Sequence, residues 1–210
     1  MPTIQNIALL FYSMVEKIKQ EKTLMLIKPD GVKRGLIGEI IQRVEKRGLK
    51  VIALKMVQVD REHINKHLPS SDAWVERLGE KTLKTFVEYS IDPMQVQGTA
   101  DKMEIGKAVK ESLFAYLTSG PIVAMIVQGI HAIDMCRKLV GHSLPVFAEM
   151  GTIRGDFSVD SPAVANIEKR AIRNIVHASE TVEEAENEMK LWFTKEEIHA
   201  YKRAEEDIMF

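Results

Sequence analysis

His177 lies where a β-type run meets the start of a helix. Residues 174–178 favour a strand, and Thr181 followed by Glu184 forms the capping-box pattern that begins a helix. Free N–H groups and the positive end of the helix dipole meet at such a terminus, so an anionic phosphate is stabilised there. The placement favours a nucleophilic histidine that accepts a phosphoryl group. The alternative is an ordinary histidine at the end of a strand.

Two more side chains are spaced to assist this histidine. Ser179 offers a hydroxyl group two residues further on, and Glu188 lies on the predicted helix at a position that faces back towards the site. A carboxylate bound to the second imidazole nitrogen would fix both the tautomer and the orientation of the ring. The pattern therefore predicts an oriented nucleophile.

The elements that must position these residues form two strand–helix–strand units. Residues 24–27 are an apolar run that predicts a buried strand, ending in a tight turn at Pro29-Asp30-Gly31. A helix with apolar rows follows, and residues 49–59 predict a second strand. Residues 122–127 predict a third strand, followed by a helix over 131–140 and then by the histidine strand. This order predicts an α+β, ferredoxin-like split βαβ fold with a four-stranded antiparallel sheet and helices on one side.

Helical patterns fill the middle of the chain and its beginning. We predict a helix over residues 61–68, two helices over 73–78 and 83–89, and a longer helix over 103–117. Residues 4–19 place apolar side chains on one face, which predicts an amphipathic helix. The domain prediction is an N-terminal helical extension over 1–20 and a single domain over 21–210.

Composition excludes several classes of protein. The chain has 210 residues and a formal net charge of −1, which gives no general attraction to nucleic acid or to acidic membranes. No apolar run is long enough to cross a membrane. The single cysteine, Cys136, lies among apolar helix positions and predicts a buried thiol in a reducing cytoplasm. His63 and His67 stand four apart without a third metal ligand, so we interpret them as an exposed helix face; a P-loop is also absent.

Three cations stand at the ends of predicted elements and complete a larger pattern. Lys28 follows the first strand, Arg137 lies in the helix before Gly141, and Arg154 follows a loop over 142–153. Lys28, Arg154 and the histidine belong to a set of five ordered motifs, and Arg137 lies between the second and third of them. The motifs are Lys28-Pro29-Asp30-Gly31-Val32 with Arg34-Gly35-Leu36, Ser119-Gly120-Pro121, Gly151-Thr152-Ile153-Arg154-Gly155-Asp156-Phe157, Asn174-Ile175-Val176-His177-Ala178-Ser179 and Leu191-Trp192-Phe193. A chain with these motifs resembles the nucleoside diphosphate kinases.

The resemblance implies an enzyme, a Mg²⁺-dependent phosphotransferase of nucleotide metabolism with broad base specificity. His177 would take the γ-phosphate of a nucleoside triphosphate such as ATP and pass it to a nucleoside diphosphate in a ping-pong reaction through phosphohistidine. Phosphoryl transfer depends mainly on positioning and charge neutralisation, which suits a set of cations and a metal ion. The Mg²⁺ would be bound through the nucleotide phosphates and not by protein ligands.

The resemblance also assigns roles to individual residues. Lys28 and Asn174 correspond to residues that contact the sugar hydroxyls, and Lys28 also reaches the transferred phosphate. Arg137 and Arg154 correspond to phosphate-binding arginines, and Ser143 to a hydroxyl donor. Glu188 corresponds to the carboxylate that orients the nucleophile, and Ser179 to its hydroxyl neighbour.

The helical lid over the base departs from the family pattern. Its usual tyrosine and stacking phenylalanine align with Leu68 and Val109, on either side of a helical insertion at about 69–102. A second insertion at 159–170 precedes the histidine strand. The aromatics of the first insertion are Trp74, Phe86 and Tyr89, and we expect them to pack the added helices together. Stacking of one of them on the base is the alternative.

The resemblance further implies a homo-oligomer, a hexamer in preference to a tetramer, in which the loop over 142–153 helps to build subunit contacts. Nucleoside di- and triphosphates are the expected partners, with no nucleic acid and no membrane, in the cytoplasm. Two other functions stay open at this point. One is a regulatory nucleotide-binding relative with an altered lid, and the other is a plain ferredoxin-like ligand-binding domain.

Overall fold

A single four-stranded antiparallel sheet, in the order β2-β3-β1-β4, forms the centre of the protein. The computed structural model describes residues 14–15, 18, 20–204 and 206–209, so the predicted N-terminal helix lies almost wholly outside the described residues. The strands are β1 (Glu21–Ile27), β2 (Lys50–Val57), β3 (Ile122–Gly129) and β4 (Val176–Ala178). The helices of the described part are α1 (Pro29–Lys33), α2 (Ile37–Lys46), α3 (Arg61–His67), α4 (Asp72–Glu88), α5 (Pro93–Gln97), α6 (Lys102–Leu117), α7 (Ala132–Val140), α8 (Ile153–Phe157), α9 (Pro162–Ile167), α10 (Val182–Trp192) and α11 (Glu206–Met209), with 3₁₀ turns at Pro145–Phe147 and Lys195–Glu197.

The sheet confirms the predicted ferredoxin-like topology. The units β1-α2-β2 and β3-α7-β4 are interleaved, because β1 pairs with β3 and β4 while β3 also pairs with β2. All three pairings are antiparallel. The strand β1 therefore ends beside the beginning of β4, the strand that carries His177.

Alternate side chains of β1 pack into two separate hydrophobic cores, one on each face of the sheet. Met25 and Ile27 face a core that α2 and α7 cover, while Leu24 and Leu26 face a second core that α3, α6 and α10 cover. Burying such a side chain contributes about 1.5–3 kcal/mol. The prediction of helices on one side was therefore wrong in this detail: both faces of the central strand are apolar, and helices cover both.

The helix α4 is one continuous helix where the sequence predicted two. Its Gly79 lies against α6, where an added Cβ would stand 1.8 Å from the carbonyl oxygen of Lys102. Gly106 of α6 approaches Val75 of α4 just as closely, with a Cβ position 2.0 Å from the carbonyl oxygen. The two glycines therefore allow close helix packing, and Gly79 does not end the helix.

One other local prediction changes, and one is confirmed. The segment after β1 is the short helix α1, which begins with Pro29 as its first residue, and not a tight turn. Cys136 is fully buried in the first core, as predicted, and burial raises the pKa of its thiol to about 12. Among the described helices, none is both long enough and apolar enough to cross a membrane.

Candidate active site

Neighbouring strand ends bring Lys28 close to His177. In the pairing of β4 with β1, Leu26 lies opposite His177. Ile175 has a φ of 67°, a left-handed conformation that is unusual for a β-branched residue. Its N–H donates to Oδ2 of Asp30 at 3.1 Å, and its carbonyl accepts from the N–H of Lys28 at 2.7 Å. These bonds hold the strained residue and link the two strand ends.

Glu188 binds one nitrogen of the His177 ring. Nε2 of His177 lies 2.9 Å from the carboxylate, and the hydroxyl of Ser179 donates to the same carboxylate at 2.6 Å. Glu188 and Ser179 are both buried. Because Glu188 engages Nε2, the ring nitrogen that is left for a substrate is Nδ1.

The helix that carries Glu188 begins where the capping pattern predicted. Thr181 is the N-cap, and its hydroxyl accepts the N–H of Glu184 at 3.1 Å. The Glu184 carboxylate accepts the N–H of Glu180 at 2.6 Å, one residue before the position that a full capping box uses. The start of α10 is therefore well ordered beside the histidine strand.

His67 also contacts this cluster, and its interpretation as an exposed helix residue was wrong. Its side chain is only 5% exposed, and Nδ1 lies 3.2 Å from Oε1 of Glu188. Its ring meets the His177 ring edge-on, with centroids 4.9 Å apart. Trp192 packs edge-on against both His67 and His63, with the His63 centroid at 4.5 Å.

Sequence spacing missed this cluster because its members are far apart along the chain. The indole N–H of Trp192 donates to Nδ1 of His67 across 125 residues, at 3.3 Å. The fold supplies the neighbours that the histidine pair lacked in the sequence. One ring nitrogen each of His67 and His177 and a carboxylate oxygen of Glu188, atoms of the kind that can bind a metal ion, lie within 4.8 Å of one another.

Burial determines the protonation of the cluster. It lowers the pKa of both His177 and His67 to about 3, helped at His177 by the charge of Lys28. It raises the pKa of Glu188, although His67 and the hydrogen bond from Ser179 oppose that shift. At neutral pH His177 is therefore an uncharged imidazole with a lone pair on one nitrogen, which is the form that a nucleophile needs.

Lys28 and Asn174 form a direct pair beside His177. Nζ of Lys28 donates to Oδ1 of Asn174 at 2.6 Å, and Nδ2 of Asn174 donates to the carbonyl of Ser143 at 2.9 Å. Burial and the nearby charge of Arg154 lower the pKa of Lys28 to about 7. A lysine in this state gains a full charge when an anion binds beside it.

Arg154 is buried and joins three segments around the site. It donates to the carbonyl groups of Gly141 at 2.8 Å, Asn174 at 3.2 Å and Val176 at 2.8 Å. Burial lowers its pKa to about 10, so it keeps its charge at neutral pH. The residue is thus a fixed cation and also a structural link.

Arg137 is more exposed and less constrained. Nη1 donates to the carbonyl of Glu180 at 3.3 Å and lies 3.6 Å from the Glu180 carboxylate. An exposed contact of this kind contributes little to stability and is easily exchanged for another anion.

A pocket of about 800 Å³ gathers most of the predicted site residues. Those that line it are Lys28, Arg137, Ser143, Arg154, Asn174 and His177. Ser179 and Glu188 lie behind His177 and support it from the protein side. The fold therefore brings together every predicted site residue except Val109.

Neither residue predicted to form the base lid lines this pocket. Leu68 packs against the second core, and the carbonyl of Val109 accepts the hydroxyl of Ser112 at 2.7 Å within its own helix. The fourth helix, α4, forms the wall in their place. Its lining residues are Trp74, Arg77, Leu78 and Lys81. Phe86 is buried as a packing residue, as expected, but Trp74 faces the pocket.

A sequence model of the nucleoside diphosphate kinase family matches residues 21–78 and 101–198. This covers most of the chain and all the residues of the histidine cluster. The chain belongs to the nucleoside diphosphate kinase family. Residues 79–100, which the family model does not match, include the second half of α4 and all of α5.

Two nucleoside diphosphate kinases from archaea illustrate the sequence relationship. The one from Pyrobaculum aerophilum is 51% identical over 178 residues, which is 85% of this chain and 97% of the relative. The one from Pyrococcus furiosus is 39% identical over 184 residues, which is 88% of this chain and 89% of the relative.

Solved structures of nucleoside diphosphate kinases share the fold. The structure of the Pyrobaculum aerophilum enzyme superposes with a TM-score of 0.82 at 49% identity, covering 85% of this chain and 98% of that one. The Borrelia burgdorferi enzyme, a transition-state mimic with bound vanadate and ADP, gives a TM-score of 0.70 at 34% identity, covering 90% of this chain and 96% of that one. The kinase family is thus supported by both sequence and fold, and a regulatory relative is not favoured.

Proposed function

We propose that the protein transfers the γ-phosphoryl group of a nucleoside triphosphate to a nucleoside diphosphate through a phosphohistidine at Nδ1 of His177. The observation that carries the proposal is the contact between Nε2 of His177 and Glu188, which leaves Nδ1 for the substrate in a cationic pocket. The structure with vanadate and ADP belongs to a relative and is consistent with phosphoryl transfer.

In the first half-reaction, the lone pair on Nδ1 of His177 attacks the γ-phosphorus. The N–P bond forms while the bond from phosphorus to the β–γ bridging oxygen breaks, and the nucleoside diphosphate leaves with that electron pair. The proton on Nε2 stays in the hydrogen bond to Glu188, which stabilises the ring as it takes up the phosphoryl group. The second half-reaction is the reverse, with another diphosphate as acceptor.

The surrounding cations supply binding and charge neutralisation. Arg137 and Arg154 neutralise the phosphates, and Ser143 donates a hydroxyl group to them. Lys28 and Asn174 bind the sugar hydroxyls, and Lys28 also reaches the transferred phosphate. Because phosphoryl transfer places charge on the equatorial oxygens, preorganised cations account for most of the catalysis.

Magnesium enters as part of the substrate, bound to the nucleotide phosphates. The carboxylates of Glu180 and Glu184 line the same pocket, and such oxygen ligands suit a hard cation that keeps several of its waters. When bound, the ion neutralises phosphate charge. The predicted assembly is a homo-oligomer, a hexamer in preference to a tetramer, and the buried thiol of Cys136 fits a cytoplasmic enzyme.

Labelling with γ-phosphate tests the nucleophile directly. With ATP and Mg²⁺, the wild-type chain should gain one acid-labile, base-stable phosphate, and His177→Asn should gain none and lose activity by several orders of magnitude. His131→Asn is the matched control, because His131 is exposed and has a left-handed backbone that asparagine tolerates. Equal labelling of His177→Asn and the wild type would refute the mechanism.

A further inference from the structure

One face of α4 presents two cations to the nucleotide pocket. Trp74, Arg77, Leu78 and Lys81 all line it, and at 3.6 residues per turn they fall within an arc of about 100°. Trp74 and Leu78 form an apolar row, and Arg77 and Lys81 form a cationic row beside it. Within the part of the chain that the structure describes, neither cation has an ion pair or a side-chain hydrogen bond.

Charges on this helix are separated between its two sides. Glu76 and Glu80, also four residues apart, both pair with Lys102 of α6, at 2.7 and 3.0 Å. The acidic side of α4 therefore faces α6, and the basic side faces the pocket. Lys102 balances only one of these two carboxylates, but both lie on the α6 side, so the charges that α4 turns towards the pocket are those of Arg77 and Lys81.

Close packing fixes the orientation of the cationic row. Gly79 and Gly106 let α4 and α6 approach until an added Cβ would overlap a backbone carbonyl oxygen of the other helix. Rotation of α4 about its axis would separate these contacts. The direction in which Arg77 and Lys81 point is therefore built into the fold and does not require a ligand.

We propose that Arg77 and Lys81 bind the phosphate chain of the nucleotide, as a second cationic wall in addition to Lys28, Arg137 and Arg154. This deepens the proposed function and rests on it. A phosphate is the ligand that fits, because the pocket holds five Lys and Arg side chains against the two carboxylates of Glu180 and Glu184. A base presents only partial charges, and the apolar row of Trp74 and Leu78 already offers it a surface.

One of the two cations, Lys81, lies in the part of α4 that extends beyond the family model. Lys81 lies in residues 79–100, which the family model does not match, whereas Arg77 lies at the end of the matched segment. The extension of α4 beyond residue 78 thus places one more cation at the pocket. Recognition through phosphate is independent of the base, which agrees with the broad base specificity that we predict.

Charge-removing variants with three probes test the proposal. Arg77→Gln and Lys81→Gln should each weaken binding of ADP and of inorganic tripolyphosphate by about two- to fivefold, the range of a single exposed charge contact. Binding of uncharged adenosine should not change. The salt dependence of ADP binding should become shallower in both variants. Lys84→Gln is the matched control, because Lys84 is exposed on the same helix but does not line the pocket.

Each result decides the proposal. Unchanged affinity for tripolyphosphate in both variants would overturn it. A weaker binding of nucleoside diphosphates that depends on the identity of the base, and that is absent with tripolyphosphate, would also overturn it, because it would indicate contact with the base. Titration calorimetry on the full chain gives these affinities, and melting curves verify that the variants fold. A failure of the proposed function would look different: tripolyphosphate would bind in an Arg77-dependent way, while His177 gained no phosphate.

Discussion

Nδ1 of His67 lies 3.2 Å from Oε1 of Glu188, the carboxylate that also contacts His177, the proposed nucleophile. Glu188 accepts from Ser179 and contacts Nε2 of His177, and the ring of His67 packs edge-on against His177 beside them. A carboxylate with several hydrogen bonds is held in one position, and it holds His177 in turn. We therefore interpret His67 as a positioning residue for the nucleophile.

Replacing His67 should lower kcat and leave KM for nucleotides unchanged. His67→Leu removes, at similar volume, the nitrogen that accepts from the Trp192 indole, and loss of one hydrogen bond that holds the cluster, worth about 1.4 kcal/mol, corresponds to about a tenfold lower kcat. His67→Gln, whose amide oxygen can accept from the Trp192 indole, should recover most of this loss. Steady-state kinetics decide the matter: equal kcat values for the two variants would show that His67 only fills space.

Acid should destabilise the fold through the buried histidines. In the unfolded chain each has a pKa of about 6.5, whereas burial lowers the pKa of His67 and His177 to about 3. Between these values the unfolded chain binds protons that the folded chain does not, so the free energy of unfolding falls as pH drops from 6.5 towards 3. One such proton changes it by about 1.4 kcal/mol per pH unit. Glu188, with its raised pKa, partly opposes the fall.

Urea unfolding at several pH values between 6.5 and 4.5 measures this slope. His67→Leu should make the fall less steep, because it removes one of the two titrating groups. His131→Asn removes an exposed histidine and should leave the slope as in the wild type. Identical slopes for His67→Leu and the wild type would contradict the explanation.

Arg154→Ala should reduce both activity and stability. Loss of a charged contact to phosphate predicts a fall in kcat/KM of about ten- to a hundredfold. The structure adds a cost in folding, because the carbonyls of Gly141, Asn174 and Val176 lose their donor, at about 1–3 kcal/mol for each buried group left without one. Kinetics and urea unfolding measure the two effects, with exposed Lys107→Ala as the surface control. A variant with full stability would show that water replaces the guanidinium.

Trp74→Ala should raise KM for all nucleotides by about tenfold, with kcat largely unchanged. The indole lines the pocket and offers a face for stacking, which is worth roughly 1–3 kcal/mol per base. Because this contact is made equally in the ground state and in the transition state, its loss should raise KM and leave kcat unchanged. Val109→Ala is the control from the sequence-based lid and should have no effect. The opposite pattern, a raised KM for Val109→Ala alone, would restore the lid that the sequence predicted.

The histidine strand shows how much local sequence could establish. The apolar strands, the N-cap at Thr181 and the spacing of Ser179 and Glu188 from His177 are set by short-range periodicity and hydrogen bonding, and the structure agrees with them. Family motifs identified Lys28, Arg154 and Asn174, and a corresponding position identified Arg137; the fold brings these residues together in one pocket.

The residues that close the pocket and the burial of His67 could be found only from the tertiary structure. Whether Val109 of α6 or Trp74 of α4 faces the pocket is decided by how these two helices pack, and the close contacts at Gly79 and Gly106 fix that packing. His67 likewise looked like a surface residue, because the groups that bury it, Glu188 and Trp192, lie more than a hundred residues further along the chain. The sequence by itself predicted His177 as the candidate nucleophile and determined its local surroundings through short-range patterns. Only the tertiary structure decided which helix face closes the pocket, because side-chain direction there depends on contacts between distant segments.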